Sequence, residues 1–458
     1  MHQKNSPHNN VVLLVTTLGS FLTPFMGSTI NIALPAIGRE FNMNALMLGW
    51  VPTSYLLVAA MSLVPVGRIA DIRGRKRIFL YGVIIFGLFS LLGGLTKNLY
   101  LFMVCRVIQG IGSAMIFGTS VAILTSVFPA NQRGRVLGIN VAGVYLGLSL
   151  GPFLGGILTQ QLGWRSIFYV NAILGLLILC LSWKFLKPET IDSENRSFDY
   201  LGTLIYCPML FFIMYGFSLL PVIFGILIII IGFVLTYIFI RWESKTTTPL
   251  FNINLFKSNS VFFFSNMAAL INYSATSAVS FLLSLYLQYI KGYSPQNTGV
   301  ILIAQPLTMT ILSPLAGRLS DRIQPAIIAS IGMGLTALGL FALNFLQATT
   351  TINMIIYCLL ILGLGFGFFS SPNTNAIMSS VEKTYYGIAS STLATMRLLG
   401  QMSSMGMVML IFSLTLGRVK ITPEIYPVFL NAVKISFIVF TILCIIGIDA
   451  SLKRRIHK

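Results

Sequence analysis

Apolar runs of about twenty residues, separated by short polar stretches, recur along the whole chain. At 1.5 Å per residue, a helix of that length crosses a hydrocarbon core of roughly 30 Å. The pattern predicts fourteen spans, near 11–36, 46–66, 77–96, 99–128, 136–159, 165–186, 200–217, 220–241, 259–289, 296–317, 324–346, 351–378, 385–413 and 428–450. The expected fold class is therefore an all-α membrane protein. Composition points the same way: of 458 residues, 56% are apolar and 9% charged, too little polar surface for a water-soluble domain of this size.

The net charge of +19 raises nucleic acid as a partner. The basic residues lie between spans, however, rather than gathered on one folded face, so no nucleic acid is expected and the lipid bilayer accounts for them. With the N-terminus inside, the inner segments hold twenty-one of the thirty basic residues and the outer segments seven, while Arg106 and Arg397 fall inside spans. That bias predicts a multi-pass protein of the cell (plasma) membrane with both termini cytoplasmic. The opening MHQKNSPHNN runs into the first span without a cleavage site of the A-x-A kind and is read as part of an uncleaved first helix. Cys105, Cys180, Cys207, Cys358 and Cys444 all lie in apolar segments without C-x-x-C spacing, which points to packing residues.

The chain repeats itself. Gly67-Arg68-Ile69-Ala70-Asp71-Ile72-Arg73, at the inner end of the second span, returns as Gly317-Arg318-Leu319-Ser320-Asp321-Arg322 at the inner end of the tenth. This predicts a six-helix bundle over 1–186, a linker with two additional spans over 187–257, and a second six-helix bundle with a short cytoplasmic tail over 258–458. Two such bundles related by an axis along the membrane normal enclose a cavity, and rocking one against the other exposes it to each side in turn.

Three patterns carry candidate chemistry. The inner stretch Gly67 to Arg77 packs one acid among five bases in a tight loop with two glycines, Gly67 and Gly74. In the fourth span, Arg106, Gln109 and Gly110 share a helix face, and an arginine at that depth serves either as an interhelical tie or as a coupling element. In the fifth span, Gly143, Gly147, Gly151 and Gly155 recur at intervals of four beside Pro152 and Gly156, leaving a stripe that permits very close helix contact.

Together these motifs resemble those of the major facilitator superfamily, in particular its fourteen-span drug:proton antiporter family. Ser28 to Pro35, Trp50 and Tyr55, and Gly387 through Arg397 and Gly400 to Gly406 add to the likeness, which covers almost the whole chain. The resemblance implies a conformational latch at Gly67, Arg68, Asp71, Gly74 and Arg75, in which Asp71 bonds across the bundle interface, with a weaker copy at Gly317, Arg318 and Asp321. It implies proton coupling through Asp71 and Arg106, and an antiporter motif at Gly143, Gly147, Gly151, Pro152, Gly155 and Gly156. The expected function is secondary active efflux of small amphiphilic molecules or drugs, with protons as coupling ion.

The chain departs from that family in its acids. None of the eleven lies mid-membrane, and Met26 stands where relatives that expel lipophilic cations carry a carboxylate. Arg397, about 21 Å along its helix from Lys383, lies near mid-bilayer. A structural tie and a ligand contact are both open to it. A neutral, zwitterionic or anionic amphiphile is the expected substrate. Candidate cavity residues are Asn31, Tyr55, Gln109, Tyr145, Asn272, Gln305, Asn373, Arg397 and Gln401. An uptake permease of the same superfamily is the nearest rival, opposed by the glycine stripe and the two extra spans. A membrane enzyme lacks its chemistry: the three histidines, His2, His8 and His457, sit at the termini, and no acid pair faces the membrane interior. A channel would need a filter, and no ring-forming segment stands out. No cofactor or metal is expected, and the protein is read as a monomer.

Overall fold

The computed structural model describes residues 7–129, 132–186, 198–246, 249–251, 253–320, 322–382 and 386–454. Fourteen helices in it are long and apolar enough to cross a membrane, and no strand occurs among the described residues. They are α1 Pro7–Glu40, α2 Ala45–Arg73, α3 Arg75–Leu95, α4 Leu99–Val127, α5 Arg133–Gln161, α6 Arg165–Phe185, α7 Tyr200–Leu219 and α8 Ile223–Glu243. Then come α9 Ser260–Ile290, α10 Pro295–Ser320, α11 Pro325–Leu343, α12 Ile352–Ser379, α13 Tyr386–Thr415 and α14 Tyr426–Leu452. An even number of such helices puts the start of α1 and the end of α14 on one face, called here the near face.

Short polar residues set the helix starts. Asn44, Asn98, Asn259 and Ser294 accept a backbone N–H at the start of α2, α4, α9 and α10, satisfying donors that would otherwise be orphaned. Between α2 and α3 the chain reverses on Gly74 alone. Its φ of +98° is open to glycine and costly for other residues, and its N–H donates to Ala70 O. Gly67 to Arg73 thus form the last turns of α2, and Arg75 to Arg77 open α3. The loop expected there shrinks to one residue, because basic side chains at the helix ends can reach water while their backbone stays helical.

The two halves pair their helices alike. In the first, α1 packs on α5, α2 on α4, and α3 on both α4 and α6; in the second, α9 packs on α13, α10 on α12, and α11 on both α12 and α14. The added helices α7 and α8 pair with each other, and α7 lies against α2 and α13. Tyr206 OH donates to Ala60 O at 3.1 Å, a bond that anchors α7 to the first half. The outer row of α8, including Leu227, Ile230, Ile231 and Val234, is exposed, a surface suited to lipid and ruinous in water.

The halves differ in regularity. The ninth span, expected as one run, is interrupted around Ser277–Ala278 and ends in a π turn over Tyr286–Ile290; α10 is interrupted at Ile303. Asp321, expected as a copy of Asp71, lies outside the described residues, as does much of the segment expected to link the first bundle to α7.

Candidate functional site

The glycine stripe of α5 is built for α1. A methyl group added at Gly147 would stand 2.5 Å from Phe21 O, one at Gly143 2.6 Å from Thr17 Cγ2, and one at Gly155 3.0 Å from Thr29 Cα; at Gly151 it would collide with Ser28. The stripe therefore ties two helices of one half backbone to backbone. Gly156 turns to the other half instead: its added methyl would meet Pro295 O at 2.6 Å, and Gly299 of α10 lies against Pro152 O.

This α5–α10 crossing belongs to a seam that shuts the far face. Ser284 Oγ donates to Asn31 O at 2.7 Å, Gln288 Nε2 to Ile32 O at 2.9 Å, and Ala45 N to Val419 O at 3.0 Å. Two further links stand at the helix middles, Ser149 Oγ to Thr310 Oγ1 at 3.0 Å and Tyr145 OH to Ser370 Oγ at 2.6 Å.

Between the halves, at mid-helix, lies a cavity of about 240 Å³. Helices α1, α2, α4 and α5 form one wall, and α9, α10, α12 and α13 the other. Of the residues singled out from the sequence, Asn31, Tyr55, Arg106, Tyr145, Pro152, Gln305, Arg397 and Gln401 line it. Gln109, Asn272 and Asn373 do not, which corrects the expected lining. Gln109 stands behind Arg106, and Asn272 and Asn373 are packed within the second half. Sequence reasoning missed Ser113, Thr276 and Phe366. Hydroxyls and rings of that kind occur throughout the spans, and only the helix rotations distinguish these.

On the first wall Arg106 is fully buried in a fixed network. Its Nε donates to Val51 O at 3.2 Å and its Nη1 to Gln109 Oε1 at 2.8 Å, and Gln109 Nε2 donates to Ser90 Oγ at 2.8 Å. The guanidinium carbon stands 4.6 Å over the ring of Tyr55, whose hydroxyl donates to Ser113 Oγ at 2.7 Å. Gly110 permits this, since an added methyl would strike Tyr55 O at 2.6 Å. On the second wall Arg397 reaches Thr374 Oγ1 at 3.3 Å and stands 5.6 Å from the ring of Tyr273.

At the near end of α2, Asp71 Oδ1 accepts from Nε and Nη2 of Arg75 at 3.1 and 2.9 Å, and Arg75 Nη1 donates to Ala122 O of α4 at 3.1 Å. These bonds stay within the first half. In the repeat, Gly317 packs against Ser371 of α12 and Arg318 is exposed. Met26 is fully buried and does not line the cavity. Among the described residues no cluster of histidine, cysteine and acid could hold a metal.

Comparison with known proteins agrees with this architecture. A family model described as Major Facilitator Superfamily matches residues 16–405. The riboflavin transporter RibZ of Clostridioides difficile is 33% identical over 84% of this chain and 84% of its own. The multidrug resistance protein Stp of Mycobacterium tuberculosis is 30% identical over 85% of this chain and 73% of its own. Among solved structures, a bacterial homologue of the human lysosomal transporter Spinster, inward-facing and unoccupied, superposes with a TM-score of 0.73 at 16% identity, covering 99% of this chain and 98% of that one. At that identity the likeness speaks for the fold.

Proposed function

This chain belongs to the major facilitator superfamily, and from that premise we propose that it is a secondary active exporter of amphiphilic small molecules, working by alternating access with protons as the coupling ion. The observation that carries the reading is the mid-helix cavity between two similarly paired six-helix halves, with its far face sealed by the α1–α9 and α5–α10 seam. Drug efflux proteins among the relatives support export, and the relative named for riboflavin adds a planar heteroaromatic to the compounds worth testing.

The basic bias of the near-face segments supports cytoplasmic termini in a plasma membrane. In that orientation the sealed far face is extracellular and the cavity stands on the cytoplasmic side of the seam, where an exporter loads. Asp71 and Arg75 then form the latch of the first bundle, with Gly67, Arg68 and Gly74 supporting it and Gly317 and Arg318 in the matching place. Proton coupling is assigned to Asp71 and Arg106. The protein works as a monomer, since each chain carries both bundles.

The test is transport by everted membrane vesicles from a host stripped of its own exporters. A respiration-driven proton gradient should drive accumulation of drugs or of riboflavin only when the chain is present, and a protonophore should abolish it. Chain-dependent uptake by intact cells, with none in everted vesicles, would replace the exporter with an uptake permease.

A further inference from the structure

The cavity holds two guanidiniums and, among the described residues, no carboxylate. Seven acids are described, and all stand elsewhere: Glu40 with Arg165, Asp71 with Arg75, Asp449 with Lys453, Asp199 and Glu243 at the ends of α7 and α8, and Glu382 and Glu424 at helix ends. Glu189, Asp192, Glu194 and Asp321 lie outside the described residues.

Both arginines are also incompletely bonded. Arg106 is 0% exposed, and its Nη2 is buried with no hydrogen-bond partner; Nε of Arg397 is in the same condition. Arginine cannot escape this cost by losing its proton at ordinary pH. A guanidinium N–H left without a partner away from water is costly, so the site gains from an anion that enters and accepts it. The two arginines stand on opposite walls, so without an anion their repulsion opposes bringing the walls together. An anion shared by both would reverse the sign of that effect and link binding to rocking.

Resting on the exporter reading, we propose that the substrate is an organic anion. Its carboxylate, or a comparable oxyanion, is received by Arg106 and Arg397, and its apolar body lies against Tyr55, Phe117, Tyr273 and Phe366. Guanidinium suits this role because its planar fork pairs two donors with an oxyanion. The hydroxyls and amides of Ser113, Thr276, Gln305 and Gln401 leave room for varied bodies around that fixed charge.

The test uses the full chain in detergent and three probes of one shape: 1-naphthoate, 1-naphthamide and 1-naphthylmethylammonium. Calorimetric titration should show naphthoate bound about tenfold more tightly than the amide and the ammonium weakest. Arg397→Gln should erase the preference for naphthoate and leave the amide within about twofold, while Arg397→Lys keeps most of it. Retained binding of the amide shows that the variant is folded. Equal affinities, a reversed order, no binding of any probe, or an equal loss of all three in Arg397→Gln would overturn the proposal. Competition with naphthoate by sodium chloride or inorganic phosphate at matched concentration would overturn it too, by making a small inorganic ion the occupant. Flux in proteoliposomes separates the two readings. Naphthoate bound but not moved sinks the exporter and keeps the site, and all three probes moved equally does the reverse.

Discussion

The two walls of the cavity are related by an internal repeat, yet they are finished differently. The first is held from several sides: Arg106 bonds to Val51 O and Gln109, Gln109 to Ser90, and the guanidinium lies over Tyr55, itself bonded to Ser113, so that only Nη2 of Arg106 is left without a partner. The second is left open. Arg397 has one long bond, and α9 and α10 are interrupted; behind the lining, both amide atoms of Asn272 and Oδ1 of Asn373 have no partner. A side chain bonded from several sides is held rigid, and one with a single long bond is freer to move. On the exporter reading, the difference becomes a division of labour: one wall presents a prebuilt charge, and the other adapts to what is bound.

The sharpest way to break this comparison is to remove each charge in turn. Arg106→Met takes the guanidinium from a network made for it, and export rate should fall about a hundredfold while the protein stays monodisperse, because an apolar residue of similar length fills the space without leaving a buried charge. Arg397→Met should cost only about tenfold, since one weak bond and one distant ring hold that side chain. Vesicle transport rates for the two variants decide the matter. Equal losses would mean that the walls contribute alike.

Between those two in size stands the seam on which the walls turn. Gly156→Val should slow transport about thirtyfold, because even the first carbon of the side chain meets the Pro295 carbonyl and holds α5 from α10. Gly138→Val on the exposed side of the same helix, where an added methyl meets nothing within 4 Å, should stay within about twofold. A similar loss in both would show that added bulk acts through α5 itself and not through its crossing with α10.

Much of this was legible in the sequence, and for physical reasons. Span number follows from run length against bilayer thickness, and the repeat was visible because Gly-Arg-x-x-Asp stands at 67–71 and again at 317–321. The stripe from Gly143 to Gly156 announced a close contact, although only the structure shows that four of its glycines serve α1 and one serves the other half. Arg106 and Arg397 stood out because charge inside a span is rare. The lining was harder to read. A face of three or four residues does not reveal which neighbour it meets, so Gln109 was expected in the cavity where it in fact stands behind Arg106. The interruptions in α9 and α10 left no mark beyond unbroken apolar runs, since Ser277, Ala278 and Ile303 are unremarkable residues in a helix.

The smallest predicted effect lies where the walls touch. Tyr145 of the first wall and Ser370 of the second share a hydrogen bond of 2.6 Å at mid-membrane, beside the Tyr273 and Phe366 rings packed edge to face. If the second wall adapts while the first stays fixed, this bond is made and broken in every cycle, and its strength falls on one state only. Tyr145→Phe removes the hydroxyl and keeps the ring, so it should weaken this closed contact by about 1 kcal/mol. The result is a two- to threefold change in transport rate at most, with a shift toward the state in which the walls are apart. Spin labels on the far ends of α5 and α10 would read that shift as a longer mean distance. An unchanged distance distribution would place Tyr145 and Ser370 on one rigid body, and the line between the walls would have to be drawn elsewhere.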